Sequence, residues 1–311
     1  MDIVIVNWNS GEFLNNCLTS IEKSNLKDLL INIIVVDNES GDDSLNRITS
    51  TVKYRLIKNN ENIGFAKACN VGLLQSRSKY ILFLNPDTEV RENTFQKAIT
   101  TMENNNKISV LGVKHIDENG NIAPSCSRFP KLRYYFYDMI GLSKLYPQIF
   151  HHATLMLDMD YSKSAFVNEV MGAFFFCRKS VLDRVGGFDE RFFVYYEELD
   201  LSYRIIKNGG KIFYDADNEI YHKGNGTSDQ VKAKRLFYSL RSRIKYSFKN
   251  DNKVNTIILF LLTMFFEPFS RLLYLILKGR FSEIKDLVNG YSFLYQYYIL
   301  RINNNGIFIT E

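Results

Sequence analysis

The residues of this chain best placed to do chemistry are carboxylates and amides gathered at the ends of apolar runs. Asp87 follows the run Tyr80-Ile-Leu-Phe-Leu84 after only Asn85 and Pro86. That run has the length and β-favouring side chains of a strand covered on both faces. Proline ends it, having no N–H for a ladder and pushing its predecessor into extended or turn geometry. Asp87 is thus expected just beyond the carboxyl end of a buried strand, where open α/β sheets bind ligands. An Asx turn capping the next helix is the other reading of the same residue. A second acidic group, Glu197, Glu198 and Asp200, falls in the first turn of an expected helix, where its charge complements the helix dipole. His222 follows a further expected strand and precedes Gly224-Asn-Gly226.

The elements that must position these groups follow in chain order. Ile3–Val6 reads as a short buried strand, ended by Asn7-Trp-Asn-Ser-Gly11, with Ser10 placed to cap a helix carrying Phe13, Leu14, Cys17, Leu18 and Ile21 at a 3.6-residue period. Ile31–Val36 is a second strand, and the loop Asp37-Asn-Glu-Ser-Gly-Asp-Asp43 offers caps for a helix holding Leu45 and Ile48. Tyr54–Ile57 is a third strand, and Asn62–Gly72 leads into a third helix. With 80–84 as the fourth, strands alternating with helices predict a parallel, right-handed α/β sheet. Asn7 and Asn9, Asp37, Asn59 and Asn62, and Asp87 then stand at successive strand ends. They outline a binding crevice unless they are merely the polar rim that strand ends carry.

Composition agrees with a folded enzyme-sized chain. Across 311 residues, 46% hydrophobic and 14% aromatic content supply a sizeable core for one large domain with an appendage, or for two domains. Such content excludes a disordered protein. The net charge of +5 is mild, so its meaning depends on where the charge lies. Cys17, Cys69, Cys126 and Cys177 are too scattered for a C-x-x-C pair and are expected as reduced, buried thiols. Met1-Asp2 runs straight into the first strand, so no secretory leader is expected. No G-x-G-x-x-G follows the first strand and no G-x-x-x-x-G-K-[ST] occurs, against a dinucleotide-binding dehydrogenase or a P-loop nucleotidase.

Taken together, Asn7-Trp-Asn-Ser-Gly11, Val35-Val-Asp-Asn-Glu-Ser-Gly-Asp42, Glu61-Asn-Ile-Gly-Phe-Ala66 and Leu84-Asn-Pro-Asp-Thr88 resemble the inverting family-two glycosyltransferases. More narrowly, they resemble the rhamnosyltransferase-like branch, with N-P-D in place of D-x-D. The resemblance implies a GT-A fold, a Rossmann-like α/β arrangement with a mostly parallel central sheet flanked by helices. It also implies a nucleotide site formed by Asn7, Asn9, Asp37, Asn62, Gly64 and Asn85, with Asp37 on the nucleobase and Asp87 as ligand of a Mg²⁺ or Mn²⁺ bridging the donor diphosphate. Such a cation neutralises the charge of a diphosphate leaving group. Asn85 replaces the first carboxylate of D-x-D, so metal affinity without the donor should be weak.

Further motifs carry the resemblance on to about residue 250. Gly186-Gly-Phe-Asp-Glu-Arg-Phe-Phe-Val-Tyr-Tyr-Glu-Glu-Leu-Asp-Leu201 matches a family block whose second E-D residue is the general base. Here that position is Glu198, with Asp200 and Glu197 as further candidates. Glutamate can deprotonate an acceptor hydroxyl, although its extra methylene moves the carboxylate by roughly an ångström, and such misplacement can cost on the order of a hundredfold. Met171 replaces the usual small polar residue before Gly172-Ala173. His222 stands where the family has a histidine that helps hold metal or diphosphate. Between these blocks, Ile108–Lys114 reads as a strand, Asp117–Asn121 as a hairpin turn, and the aromatic stretch from Tyr134 to Tyr161 as either an acceptor cover or a packing loop.

The tail changes character. From Lys232 to Lys253, eight Lys or Arg accompany one Asp, while Leu236, Phe237, Leu240, Ile244 and Phe248 make an apolar helical stripe. This basic amphipathic helix points to an anionic membrane surface rather than a nucleic acid. Two apolar pieces follow, Val254–Phe266 and Leu272–Leu277, each too short to span a bilayer. Interfacial or oligomer-forming helices are expected, with a helical cap on the catalytic domain as the alternative. The expectation is therefore a catalytic domain over 1–228 and a helical extension over 229–311. The activity implied is metal-dependent, inverting sugar transfer on the cytoplasmic face of a membrane. Its implied donor is dTDP-rhamnose, and its acceptor is a hydroxyl of a lipid-linked or growing surface polysaccharide. Transfer of another hexose from UDP, a retaining or hydrolysing activity, and a silent nucleotide-sugar-binding module are the alternatives.

Overall fold

The computed structural model describes residues 1–27, 29–224 and 231–305. Strands are β1 (Asp2–Asn7), β2 (Asn32–Asp37), β3 (Arg55–Lys58), β4 (Tyr80–Leu84), β5 (Thr88–Val90), β6 (Ile108–Ile116), β7 (Ile122–Ala123), β8 (Cys126–Ser127), β9 (Ala165–Val167), β10 (Glu169–Val170), β11 (Phe174–Arg178) and β12 (Lys211–His222). Helices are α1 (Phe13–Lys23), α2 (Phe65–Leu74), α3 (Thr94–Asn104), α4 (Leu132–Met139), α5 (Leu142–Leu145), α6 (Lys179–Val185), α7 (Glu197–Lys207), α8 (Lys232–Asn250), α9 (Lys253–Leu261), α10 (Glu267–Leu277) and α11 (Ile284–Asn305). The chain divides into two compact units.

The first unit comprises Met1–Phe129, Met159–Glu190 and the described residues from Glu197 to 224. Its main sheet runs β3-β2-β1-β4-β11-β6-β12-β5, with β7 added beside β6 and β9 beside β12. β3, β2, β1 and β4 are parallel neighbours, as the alternating pattern predicts. β11 enters antiparallel between β4 and β6, and β12 then runs parallel to β6. Every residue of β1 and β4 is buried, which explains their unbroken apolar runs. Strand order reverses at β1, with β2 on one side and β4 on the other. Ligands of open α/β sheets sit at the carboxyl ends beside such a reversal.

Local expectations differ from the structure at three places. No helix joins β2 to β3; residues 41–54 run as turns and irregular chain. The segment Thr49-Ser-Thr51 has poor helix formers, and α1 holds it through Asn15, which accepts from the Thr49 and Ser50 amides, and Glu22, which accepts from Thr51. Ser10 does not cap α1, whose N-cap is Glu12 with no side-chain bond. In α7 the sequence spacing sets Leu199, Tyr203 and Ile206 as the apolar positions, whereas the buried apolar residues are Leu199, Leu201 and Ile205. The Tyr203 ring instead meets Phe129 edge-on. The Asp117–Asn121 hairpin forms between β6 and β7, and all four cysteines are buried and unpaired.

The second unit gathers Pro130–Asp158, Arg191–Tyr196 and the described residues after 230. The sequence boundary at 228/229 lies outside the described residues. The first part of the aromatic stretch folds into α4 and α5, burying Tyr134, Tyr135 and Met139 with Leu259. The apolar stripe of α8 faces inward, with Leu240 and Ile244 packed against Met264, Leu275, Leu287, Tyr291 and Leu294. The two apolar pieces expected downstream are one continuous helix, Lys253–Leu277, in which α9 and α10 join through a π-helical turn at Leu262–Phe266. It is long and apolar enough to cross a membrane.

Candidate active site

At the carboxyl ends of β1, β2 and β3 the polar rim forms one hydrogen-bonded cluster. Parallel pairing sets Asn7 beside Asp37. The buried Asn7 amide donates to Asp37 Oδ1 at 2.7 Å and to the Ser40 and Ser44 hydroxyls at 3.0 Å, while the Ser10 hydroxyl donates to Asn7 Oδ1. This bond takes up the hydroxyl expected to cap α1. Asn7 thus spends its side chain within the protein and orients Asp37. Asn9, in the left-handed region at φ 48°, accepts from the Gly41 amide at 2.7 Å.

Asn38, which the sequence reading quoted but gave no role, is the hub of the next layer. Only 2% exposed, it donates to Asn62 Oδ1 at 2.8 Å and to the Gly64 carbonyl at 3.3 Å. It accepts from Asn59 and from the Ile63 amide, both at 3.1 Å. Asn62 in turn accepts from the Gly64 amide at 3.0 Å. Gly64 begins α2 at φ 85°, a conformation open to glycine and costly for a side chain. One buried amide therefore ties the 59–64 loop to the end of β2.

Asp87 and His222 meet because β5 and β12 pair antiparallel with Thr88 opposite His222. His222 Nε2 lies 3.4 Å from Asp87 Oδ1, and both side chains are about nine-tenths buried. The His115 ring of β6 stacks edge-on against His222 at 5.2 Å. Burial first, then the charge of His222, holds His115 well below the usual histidine range. Among the described residues no three His, Cys, Asp or Glu side chains group closely enough to hold a metal alone. One carboxylate and one imidazole nevertheless suit a divalent cation that takes its other ligands from phosphate oxygens and water. Beside them, Asn85 Oδ1 is buried with no hydrogen-bond partner among the described residues.

The third group lies a short step away. The Asn85 amide donates to the Ala173 carbonyl at 3.2 Å, and the neighbouring Gly172 amide donates to Glu198. A Cβ on Gly172 would stand 3.1 Å from Glu198 Oε1, so glycine is what lets this backbone approach the carboxylate. Glu197, as the protonated partner, donates a hydrogen bond to Glu198, and Glu169, on β10 and 3% exposed, completes a three-carboxylate pocket with a hydrogen bond from Ser127. Burial, then the charge of Glu198, pushes Glu169 up from an ordinary 4.5 to about 8. The same two causes, in the same order, raise Glu197 well above the carboxylate range. Burial raises Glu198 too, opposed by its own amide, by Glu197 and by the Gly172 amide. Two neutral carboxylic acids thus surround the group best placed to carry the negative charge. One oxygen of each of the three has no hydrogen-bond partner among the described residues.

The sequence reading missed Glu169. Its one signal was an acid in the run Phe166-Val-Asn-Glu-Val-Met-Gly172, next to a segment otherwise apolar. Asp200 stands apart from this pocket's chemistry: fully buried, it accepts from Arg204 Nε at 2.8 Å. The Arg204 guanidinium also donates to the carbonyls of Val185, Gly186 and Gly187 at 2.7–2.9 Å, fastening α7 to the end of α6. Just before α7, Tyr195 and Tyr196 both have positive φ, at 68° and 69°. Bulky residues seldom adopt that conformation, and such strain gathers at functional sites.

The sheet of the first unit, with helices packed on it and its strand order reversing at β1, is the GT-A fold. The mannosyltransferase PcManGT of Pyrobaculum calidifontis, solved in complex with GDP-Man and Mn²⁺, shares the fold. It aligns with a TM-score of 0.54 at 12% identity, over 98% of this chain and 87% of its own. The model of the family described as glycosyl transferase family 2 matches residues 2–165. The chain belongs to that family. It is 23% identical over 241 residues to the N-acetylglucosaminyl-diphospho-decaprenol L-rhamnosyltransferase of Mycobacterium tuberculosis, covering 73% of this chain and 77% of that protein. It is 25% identical over 192 residues to the rhamnosyltransferase WbbL of Escherichia coli K12, covering 59% and 69%.

Proposed function

We propose that this glycosyltransferase moves L-rhamnose from dTDP-rhamnose, with inversion, onto a hydroxyl of a lipid-linked or growing envelope polysaccharide at the cytoplasmic face of a membrane. The observation that carries the catalytic part is the Asp87–His222 pair at 3.4 Å, joined through Asn85, Ala173 and Gly172 to the Glu198 carboxylate. The rhamnosyltransferase relatives support the sugar.

On this reading Asp37, oriented by Asn7, receives the nucleobase, while Asn9, Asn62 and Gly64 shape the loop around the nucleotide. Asn85 directs its unpartnered oxygen at the donor. Asp87 and His222 hold Mg²⁺ or Mn²⁺, which when bound neutralises the charge building on the leaving diphosphate. Glu198 takes the proton of the acceptor hydroxyl as that oxygen attacks the anomeric carbon. Its neighbours Glu197 and Glu169, kept neutral, leave the pocket's charge on it. Asp200 acts through Arg204, positioning the helix that presents the base.

Titrating TDP, UDP and GDP into the protein by calorimetry, with Mn²⁺ or Mg²⁺ and again with chelator, tests the donor site. Metal-dependent binding of TDP is expected, and tighter UDP binding would move the reading to another hexose. Glu198→Gln should lower transfer by about 10³-fold, within the usual range for removing a general base, and leave nucleotide binding intact. Transfer at the wild-type rate would remove Glu198 as base, and no nucleotide binding at all would point to a different ligand for the crevice.

A further inference from the structure

The helix Lys253–Leu277 has two unlike sides. Its inner side carries Leu259, Thr263, Met264, Glu267 and Leu275, each at most 8% exposed. The buried Glu267 is hydrogen-bonded there to Arg243 and, at 2.8 Å, to the half-exposed Arg271, while Arg243 also donates to Thr263 at 2.7 Å. Its outer side carries Ile257, Leu261, Phe265, Phe269, Leu273 and Leu277 at every fourth residue, each 48–75% exposed. In an α-helix each such step turns the stripe by about 40°. The π-helical turn adds one residue, which sets it back by about 100°. The six side chains therefore stay within a band about 100° wide, the width of one amphipathic face. Exposed cations border it: Lys253 at one end, Lys278 at the other, and Lys144, whose ammonium sits 5.0 Å over the Tyr274 ring.

We infer that this face docks on an anionic lipid bilayer, with the helix lying in the plane of the interface rather than crossing it. An apolar band edged by lysines is complementary to acyl chains beneath anionic headgroups. Crossing would strip Glu267 from Arg243 and carry Arg271 into hydrocarbon, whereas lying flat leaves the ion cluster where it is. The stripe of α8, which sequence alone offered as the membrane face, is occupied by the unit's own core. The inference rests on the proposed reading for its acceptor, since a lipid-linked saccharide would be met at that surface.

Flotation of the full chain with phosphatidylcholine vesicles, with and without phosphatidylglycerol, tests it, with Phe265→Ser/Phe269→Ser as the variant. Both side chains are solvent-exposed, so the fold should be kept. The wild type should float with the anionic vesicles, be released by alkaline carbonate, and lose binding by at least about tenfold in the variant. Flotation unchanged by the two substitutions, retention through carbonate extraction, or a stable dimer that the substitutions dissolve would each overturn it, the last by giving the face to a second copy. Nucleotide titration of the same variant should match the wild type. Its loss in both proteins would count against the transferase reading and leave the membrane result standing.

Discussion

Glu169→Gln isolates the least expected group of the acidic pocket. Burial and the neighbouring Glu198 raise Glu169 from an ordinary 4.5 to about 8, so its carboxyl is mostly protonated at neutral pH. A group raised in this way contributes its full stability below its unfolded value and loses it as pH climbs to the folded one. The slope is about 1.4 kcal/mol per pH unit. Between pH 5 and pH 8 the wild type should therefore lose about 3–4 kcal/mol relative to Gln, which does not titrate. Gln keeps the volume and can keep the Ser127 hydrogen bond. Trp8, the chain's one tryptophan, lies between Asn7 and Asn9 and reports on the first unit. Urea unfolding followed by its fluorescence at pH 5, 6, 7 and 8 gives the comparison directly. The two proteins should differ least at pH 5 and diverge steadily, with the variant the more stable at pH 8. Parallel curves would mean that Glu169 is ionised in the folded state and that the pocket does not confine its charge to Glu198.

Two further substitutions probe the framework. Gly172→Ala places a Cβ 3.1 Å from Glu198 Oε1, so the carboxylate must give by a few tenths of an ångström; kcat should fall about tenfold with the donor KM unchanged, and steady-state kinetics would show the split. Asn38→Ala removes four hydrogen bonds from the loop that begins α2. Thermal unfolding should register a loss of about 2–4 kcal/mol, with Asn38→Asp, which keeps the acceptor, losing less.

Where apolar side chains form unbroken runs, the sequence was legible. The buried strands, and Asn7, Asp37 and Asp87 at or just beyond their ends, follow from apolar runs such as Ile3–Val6 and Tyr80–Leu84. What was illegible depended on partners far along the chain. Ser10 looks like a cap until Asn7 takes its hydroxyl. The 44–52 segment reads as a helix until Asn15 and Glu22 claim its backbone. Glu267, Pro268 and Arg271 interrupt the apolar sequence between Val254 and Leu277, and its continuity as one helix became visible only with Arg243, on α8, holding Glu267. Glu169 gave almost no signal, because a buried acid is recognised by what surrounds it and its neighbours come from α7. Asp200 shows the reverse case: it belongs to the same acidic run as Glu198, yet folding turns it onto Arg204.

The same neighbours bear on why glutamate can stand at the proposed base position where the family has aspartate. A longer side chain carries one more rotatable bond, and its carboxylate would wander by about an ångström if held only at its root. Here it is held at its tip. The Gly172 amide fixes one oxygen from the β11 side, and Glu197, neutral and adjacent on the helix, donates to the same carboxylate. Neither constraint would reach a shorter aspartate at this backbone position without moving α7, which Asp200 and Arg204 pin to the end of α6. Glu198→Asp should accordingly be no rescue toward the family pattern: the shortened carboxylate loses the Gly172 contact, and transfer should drop by about a hundredfold. An Asp variant as active as the wild type would show that these contacts do not set the position of the base.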